Sequence, residues 1–521
     1  YSLVTTKIDE EIFKPLFPEG KKCGRPNASI RILVAMSALK EGFGCSDEDL
    51  FEKCEFDLLT RKALGMELLT DVTPSIDTYY LFRRRICEYQ ERTGIDLMQL
   101  CFEQLAGNQV RLLKISGKCV RMDSKLIGSN IARQSRYELI HTTLVKFLKT
   151  CTLSDLSPEQ EERAKEYLKE DSSKTVYRSD SDTLQSNLAR IGNFIMEMLA
   201  VFPATSPAHD LLQRLFDEQY AVKDGKAVLR DKKEVKADSL QNPNDPDATY
   251  RAKNDQKVQG YVTNITETVE EGKPNIITSV QVETAVFADC HFLQEAVENS
   301  ERVTDSTIED LYADGAYQSP DNREFAKNHN AMQLKTGKMQ GGCRWELIPH
   351  DEDGLTVREI ATGNTYEAVK AVTKQGSRKR WRIPWNNKTG WRYFEDKDIK
   401  AYQLRKQIES LPLEEQHKRN NVEAAMFQYS FHTRKGKTRY RGLLKHRMHA
   451  YSRCMWMNLR RMVIFQISTF QRSIFALFGP IREAFGSFKA ISRKIFTSGA
   501  DCYVSLRMTT LARLDSKYVP F

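Results

Sequence analysis

The sequence predicts a mixed α/β protein: a helical N-terminal domain, then a β/α core interrupted by a helical insertion and by a small β-rich insertion. Three observations predict it. Apolar residues in the first hundred positions recur at helix spacing. Strand-like runs then come in two blocks, near 110–133 and 246–337, on either side of a long helical stretch. Short strands between Gly, Asp and Asn turns fill 338–395 and hold four of the five tryptophans.

Taken in order, ASIRILVAMSALKEGF follows the breaker GRPN, and SDEDLFEKCEFDLLTRKAL opens on a Ser46-x-x-Asp49 capping box. TPSIDTYYLFRRRICEYQERTG and IDLMQLCFEQLAG complete the helical N-terminal part. A helix-turn-helix unit and a plain bundle both fit, and Arg83, Arg84 and Arg85 are either DNA contacts or a solvated face. VRLLKIS and KCVRMDS are β-rich and end at Asp123. Residues 134–245 read mostly as helix, among them LARIGNFIMEMLAVF and AHDLLQRLFDEQY, with QNPNDPDATYRAKND giving loop signals. GYVTNITETVE and NIITSVQVETAVF, split by the turn EGKPN, read as a hairpin. DCHFLQEAVENS is a helix, TIEDLYAD a strand ending at Asp314, PDNREFAKNH a helix and AMQLKTG a strand.

In the β-rich insertion, Trp345, Trp381, Trp385 and Trp391 are expected to build a small core rather than stack on bases. Helices resume with KDIKAYQLRKQIESLP and EEQHKRNNVEAAMFQYS. A long helix then places Leu444, Met448, Tyr451, Met455, Leu459 and Met462 in one core stripe. The domain boundaries expected are 1–108, a core of 109–133 with 246–337 and 396–470, insertions at 134–245 and 338–395, and a C-terminal tail at 471–521.

Composition narrows the function classes. With 40% hydrophobic and 29% charged residues, the chain is of the soluble globular kind. Eleven cysteines lie scattered, with no C-x-x-C and no zinc-spaced His pair, which argues for reduced thiols and against a structural zinc site. TKIDEEIF has neither the basic region nor the apolar core of a signal peptide, and with Tyr1 in place of Met a lost or trimmed start is expected. The most apolar run, from Val463, is broken by Gln and Arg472 and is too polar to cross a bilayer. A cytoplasmic protein without a membrane partner is expected.

The net charge of +9 is modest, but its placement is not. From Ala424 to Arg482 there is no acid, while Arg434, Lys435, Lys437, Arg439, Arg441, Lys445 and Arg447 crowd the first part of that run. An acid-free basic run gathers phosphates. Asp123, Asp314 and Glu423 sit at strand ends and on a helix, where carboxylates can converge in one crevice. Three carboxylates suit one or two Mg²⁺ ions, which take oxygen ligands and keep places for substrate phosphates. Taken singly, Asp123 could cap a turn, Asp314 could open an Asp-Gly turn, and Glu423 could pair with Arg419.

Local context chooses between these readings. RMDSKLIGSNIA resembles the first-Asp motif, and LYADGAYQSPDN the second-Asp motif, of the DDE transposases of bacterial insertion sequences. RNNVEAAMFQYSFHTRKGKTRYRGLLKHRMHAYSRCMWMNLRR is similar to that family's Glu motif with its arginine-rich helix. GRPNASIRILVAMSALKEGFGCSDEDLFEKC is similar to its helical N-terminal domain, and DPDATYRAKNDQKVQGYVTNITET to the stretch leading into the core hairpin. The resemblance covers about residues 20–465. It implies an RNase H-like catalytic core in which Asp123, Asp314 and Glu423 hold Mg²⁺ or Mn²⁺, two ions in all, for strand cleavage and transfer. It implies double-stranded DNA partners, namely terminal inverted repeats and target DNA, and a homodimer in a synaptic complex inside a bacterial cell, nucleoid-associated when bound. Phosphate contacts are expected from Arg419, Arg434, Lys435, Arg439, Arg441, Lys445, Arg83 and Arg84. The Glu motif departs from a common pattern: Gln416 stands where many relatives carry Tyr, and Ser430 where many carry Lys. The competing class is a non-catalytic DNA-binding protein derived from a transposase, which needs the basic groups but not the acids.

Overall fold

A computed structural model describes residues 4–17, 27–203, 206–253, 256–336, 343–350, 354–371, 379–385, 390–410 and 412–484, with the side chains of 385, 413–417, 419–421 and 472–484 left aside. It forms two units, 1–459 and 460–521.

In the first unit the chain begins with helices. They are α1 (Ile30–Phe43), α2 (Asp47–Phe56), α3 (Leu58–Leu64), α4 (Ile76–Thr93) and α5 (Leu97–Leu113). Their starts are written locally. Ser46 accepts from the Asp49 N–H while Asp49 accepts from the Ser46 N–H, and Ser75 and Asp96 cap α4 and α5 the same way from one side. Gly44, Gly65 and Gly94 end α1, α3 and α4 in the left-handed conformation.

β1 (Cys119–Gly128) follows. Its even positions Val120 and Met122 are buried in an apolar cluster, so Arg121, Asp123 and Lys125 share the other face. The helices α6 (Arg136–Leu148), α7 (Pro158–Lys169), α8 (Ser172–Arg178), α9 (Ser181–Val201) and α10 (Pro207–Gln219) come next. They close round a core of their own that includes Ile140, Phe147, Ile191, Phe194, Leu212 and Leu215. A small hairpin, β2 (Tyr220–Lys223) with β3 (Lys226–Leu229), ends this stretch.

The chain then returns to β1. β4 (Thr249–Lys253) and β5 (Gln256–Thr268) form a hairpin, β5 runs antiparallel along the whole of β1, and β6 (Ile277–Thr284) continues antiparallel to β5. After α11 (Leu293–Thr304), β7 (Asp310–Ala313) docks parallel to β1. α12 (Pro320–Asn328) provides the crossover that a second parallel strand requires, and β8 (Gln333–Thr336) lies parallel to β7. The sheet order is therefore β6-β5-β1-β7-β8, with β4 beside the first half of β5. Leu293, Ala296 and Val297 of α11 cover the face bearing Val120 and Met122.

β9 (Trp345–His350), β10 (Gly354–Glu359), β11 (Thr365–Lys370), β12 (Arg380–Trp385) and β13 (Gly390–Glu395) make a separate antiparallel meander. Trp345, Trp381, Ile383 and Phe394 meet Ile399 and Tyr402 of α13 (Asp396–Glu409) in its small core. α14 (Leu413–Ser430) packs against β1 and β7, and α15 (Leu443–Ala484) is the long helix whose stripe Met448, Tyr451 and Met455 is buried.

Candidate active site and basic hairpin

Asp123 and Asp314 are neighbours by register. The parallel ladder pairs Cys119 with Asp310, Val120 with Leu311 and Arg121 with Tyr312, an offset of 191 (310 − 119). Asp314 minus Asp123 is the same 191, so the ladder carried two residues further sets one aspartate against the other. Adjacent strands run about 5 Å apart. The two acids are half-buried, and each accepts a hydrogen bond from the next backbone N–H: Ser124 at 2.8 Å and Gly315 at 2.7 Å. The buried Tyr317 phenol senses both. Burial first, then the Asp123 charge, and behind it those of Asp289 and Asp314, push its pKa well above the usual value.

α14 brings Glu423 to the same level. Arg121 donates to the Lys418 carbonyl at 2.9 Å, and Lys418 lies over the Tyr312 ring, which fixes the start of the helix at Arg121. Farther along, Tyr429 shares a hydrogen bond of 3.1 Å with Thr263, the partner of Lys125 across β5. The helix therefore runs beside β1 in the same direction, about 16 Å from Lys418 to Tyr429 against about 13 Å from Arg121 to Lys125. Glu423 stands five residues past Lys418 and Asp123 two residues past Arg121, each about 7 Å along. Val422, Ala425, Met426 and Tyr429 form the buried stripe, and Glu423 beside it is exposed.

Carboxylates alone are the donor chemistry of a hard divalent cation. Among the described residues, no three His, Cys, Asp or Glu side chains are drawn together as a metal cluster. By these spacings the backbone sets Asp123, Asp314 and Glu423 at about the same level along β1.

The basic run divides into two populations. Arg434 and Lys437 exchange backbone hydrogen bonds across a tight turn, with positive φ at Lys435 (52°) and Gly436 (72°), the two-residue hairpin that a glycine permits. This hairpin clips onto the end of β1, Gly128 donating to the Gly436 carbonyl at 2.8 Å and Thr438 to the Gly128 carbonyl at 3.0 Å. Arg434, Lys435, Arg439, Arg441 and Lys445 are exposed around it. Arg439 and Arg441 each direct one N–H to a backbone carbonyl, Gly44 and Asn130, both at 2.7 Å.

Arg447 and Arg453 turn inward instead, Arg447 to Glu283 and Arg453 to the carbonyls of Glu41, Gly42 and Gln428. These two arginines of the acid-free run therefore make contacts within the fold. Arg83 differs from both readings offered for it. Its guanidinium is largely enclosed between the Tyr79 and Tyr440 rings, where it makes contacts within the fold. Arg84 is exposed beside Glu88, and Arg85 lies over the Phe17 ring. Ser430 bonds back to the Met426 carbonyl of its own helix. Arg419 and Gln416 lie on α14 with side chains outside the described residues, as does the Trp385 side chain. Of the other insertion tryptophans, Trp345 and Trp381 are buried and Trp391 is exposed.

Two features escaped the sequence reading. Glu41 on α1 meets His449 at 2.6 Å and also accepts from the Tyr440 hydroxyl. Arg121 and Glu267 form a buried pair beneath α14. Neither carries a local motif, because the partners are distant in the chain. Among the described residues no helix is long and apolar enough to cross a membrane.

No curated protein and no solved structure matches the chain. Residues 1–85 match the family model described as Transposase domain (DUF772), a match that supports a transposase and implies DNA binding.

Proposed function

We propose that the chain is a DDE transposase of an insertion sequence, with an RNase H-like core, cutting DNA at terminal inverted repeats and joining the freed ends to target DNA. The single observation that carries this reading is the shared offset of Asp123 and Asp314 on adjacent parallel strands. The strand order β6-β5-β1-β7-β8, three antiparallel strands followed by two parallel ones, is that expected of such a core. Glu423, level with Asp123 on α14, supplies the third acid. Asp123, Asp314 and Glu423 would hold Mg²⁺ or Mn²⁺, and the ions supply Lewis acidity toward the phosphate and an activated hydroxyl when bound. The chain's own part is positional. The Arg121 bond to the Lys418 carbonyl holds α14 against the sheet, and the exposed groups of the basic hairpin neutralise phosphates near one end of β1. A homodimer that synapses two ends, at work in the cytoplasm, belongs to the same proposal.

The exposed Arg434, Lys435, Arg439, Arg441 and Lys445 would by themselves serve a second reading, a DNA-binding relative without catalysis. Labelled DNA carrying the element's ends, incubated with Mg²⁺, decides between them. Specific nicking by the wild type, lost in Asp123→Asn and Asp314→Asn while DNA binding persists, is the outcome expected of the transposase. Binding without nicking under Mg²⁺ and Mn²⁺ alike leaves the second reading.

A further inference from the structure

The small β9–β13 sheet has one face in its own core and one face outside. On β12 and β13 the inward residues are Trp381, Ile383 and Phe394. The outward ones form a ladder of planar groups. Arg382 lies directly across from Tyr393. The Arg380 guanidinium sits 4.1 Å from the Tyr393 ring centroid, and that of Arg382 sits 4.3 Å from the Trp391 ring. Both rings are open to solvent, Trp391 at 49% and Tyr393 at 38% exposure. Val369, across from Arg382 on β11, is 57% exposed and extends the apolar ground. Glu395, the acid at the end of the ladder, is matched by Arg380 at 3.8 Å and Lys397 at 3.0 Å.

Cross-strand packing accounts for an Arg beside an aromatic ring, but a sheet face needs no tryptophan half out in water to be stable. Large rings left exposed in pairs, with cations interleaved, match the chemistry of an unpaired nucleic-acid strand. Each base offers a π-face to a ring or a guanidinium plane, and each phosphate an anion to the same arginines. A duplex buries its base faces against one another and offers the two rings nothing to stack on. We propose that this outer face binds single-stranded DNA, with Trp391 and Tyr393 stacking bases and Arg380 and Arg382 holding the adjoining phosphates. The proposal goes beyond the acidic site and does not draw on Asp123, Asp314 or Glu423.

The test uses the full chain in EDTA, so that no cleavage contributes. Binding is followed by anisotropy of a fluorescein-labelled thymidine oligonucleotide of about 20 nucleotides, longer than the ~4–16 that such platforms span. A duplex of equal length is run beside it. Trp391→Ala is expected to weaken single-strand binding by roughly fivefold to a hundredfold, the range set by removing one base stack, with duplex binding unchanged. Trp391→Phe keeps a π-face and is expected to restore most of the affinity. Wild-type single-strand affinity in Trp391→Ala overturns the proposal. So does an equal loss on duplex and single strand, or a Phe variant as weak as the Ala variant, since either marks a structural effect and not stacking.

Discussion

Arg121 holds two partners at once, and its side chain is almost sealed from water. It meets the Glu267 carboxylate at 2.6 Å, donates to the Lys418 carbonyl at 2.9 Å, and both members of the ion pair are buried, at 3% and 0% exposure. A buried ion pair adds little over a well-packed apolar pair, but removing one partner strands the other charge. Arg121→Ala is therefore expected to cost about 3–5 kcal/mol in denaturant unfolding. The double variant Arg121→Met with Glu267→Leu should cost much less than the single change. If the single and double variants are equally destabilised, packing and not the stranded charge is the cause. Asp314 was legible in the sequence because it follows a short β-run at an Asp-Gly turn, whereas Asp123, expected at the end of its strand, lies midway along β1, which runs on to Gly128. Arg121 was not legible, since its neighbours come from β5 and α14, and a buried Arg looks in sequence like any other. Arg83 was misjudged for the same reason: nothing near it in the chain announces the Tyr440 ring that covers it.

At the scale of elements, alternation and turn chemistry made most of the strands readable. The β5–β6 hairpin, β7 ending before Asp314, α12 and β8 all fall where the periodicity put them. The β2–β3 hairpin did not, although YAVKDGKAVL holds the signal: Asp224 and Gly225 both take positive φ, at 49° and 73°, which is what an Asp-Gly hairpin turn demands. The surrounding helical pattern outweighed it. β4 was hidden by a run of Pro, Asn and Asp just before it, and its pairing with β5 is a tertiary fact. The basic hairpin yields two predictions. Gly436 has φ of 72° with open space where a Cβ would go, so Gly436→Ala meets backbone strain alone and should cost about 1 kcal/mol, read by thermal unfolding. Arg441→Ala with Lys445→Ala should weaken binding to end DNA and to unrelated DNA alike. For every phosphate that the variant no longer neutralises, the slope of log affinity against log salt should flatten by ~0.9. An unchanged slope in the double variant would take this surface out of the DNA path.

On the scale of the whole molecule, the first unit is tied together by contacts between its two ends. The Glu41 carboxylate of α1 meets His449 of α15 at 2.6 Å and the Tyr440 hydroxyl beyond the basic hairpin. On the same seam His432 bonds the Gly42 carbonyl, and Gly42 lies so close to the Trp456 ring that an added Cβ would fall within 2.2 Å of it. Burial works against a charged Glu41, but His449, Lys40 and Tyr440 outweigh it and hold its pKa down at about 2, from 4.5. The sign follows from linkage. A carboxylate whose folded pKa is depressed contributes its full stability above the unfolded value and loses it as pH falls through the folded one. The window is therefore between about 4.5 and 2. A shift of that size is worth about 3 kcal/mol at neutral pH, to order of magnitude. Glu41→Gln keeps the shape and removes the charge. Wild type should thus exceed Glu41→Gln in unfolding free energy by about that amount at pH 7. The gap should shrink steadily below pH 4.5 and close near pH 2, as measured by denaturant titration at each pH. A gap that stays constant from pH 7 to pH 2 would mean that the seam is held by shape and neutral hydrogen bonds, and that the Glu41 charge has no part in joining the N-terminal helices to the basic hairpin and α15.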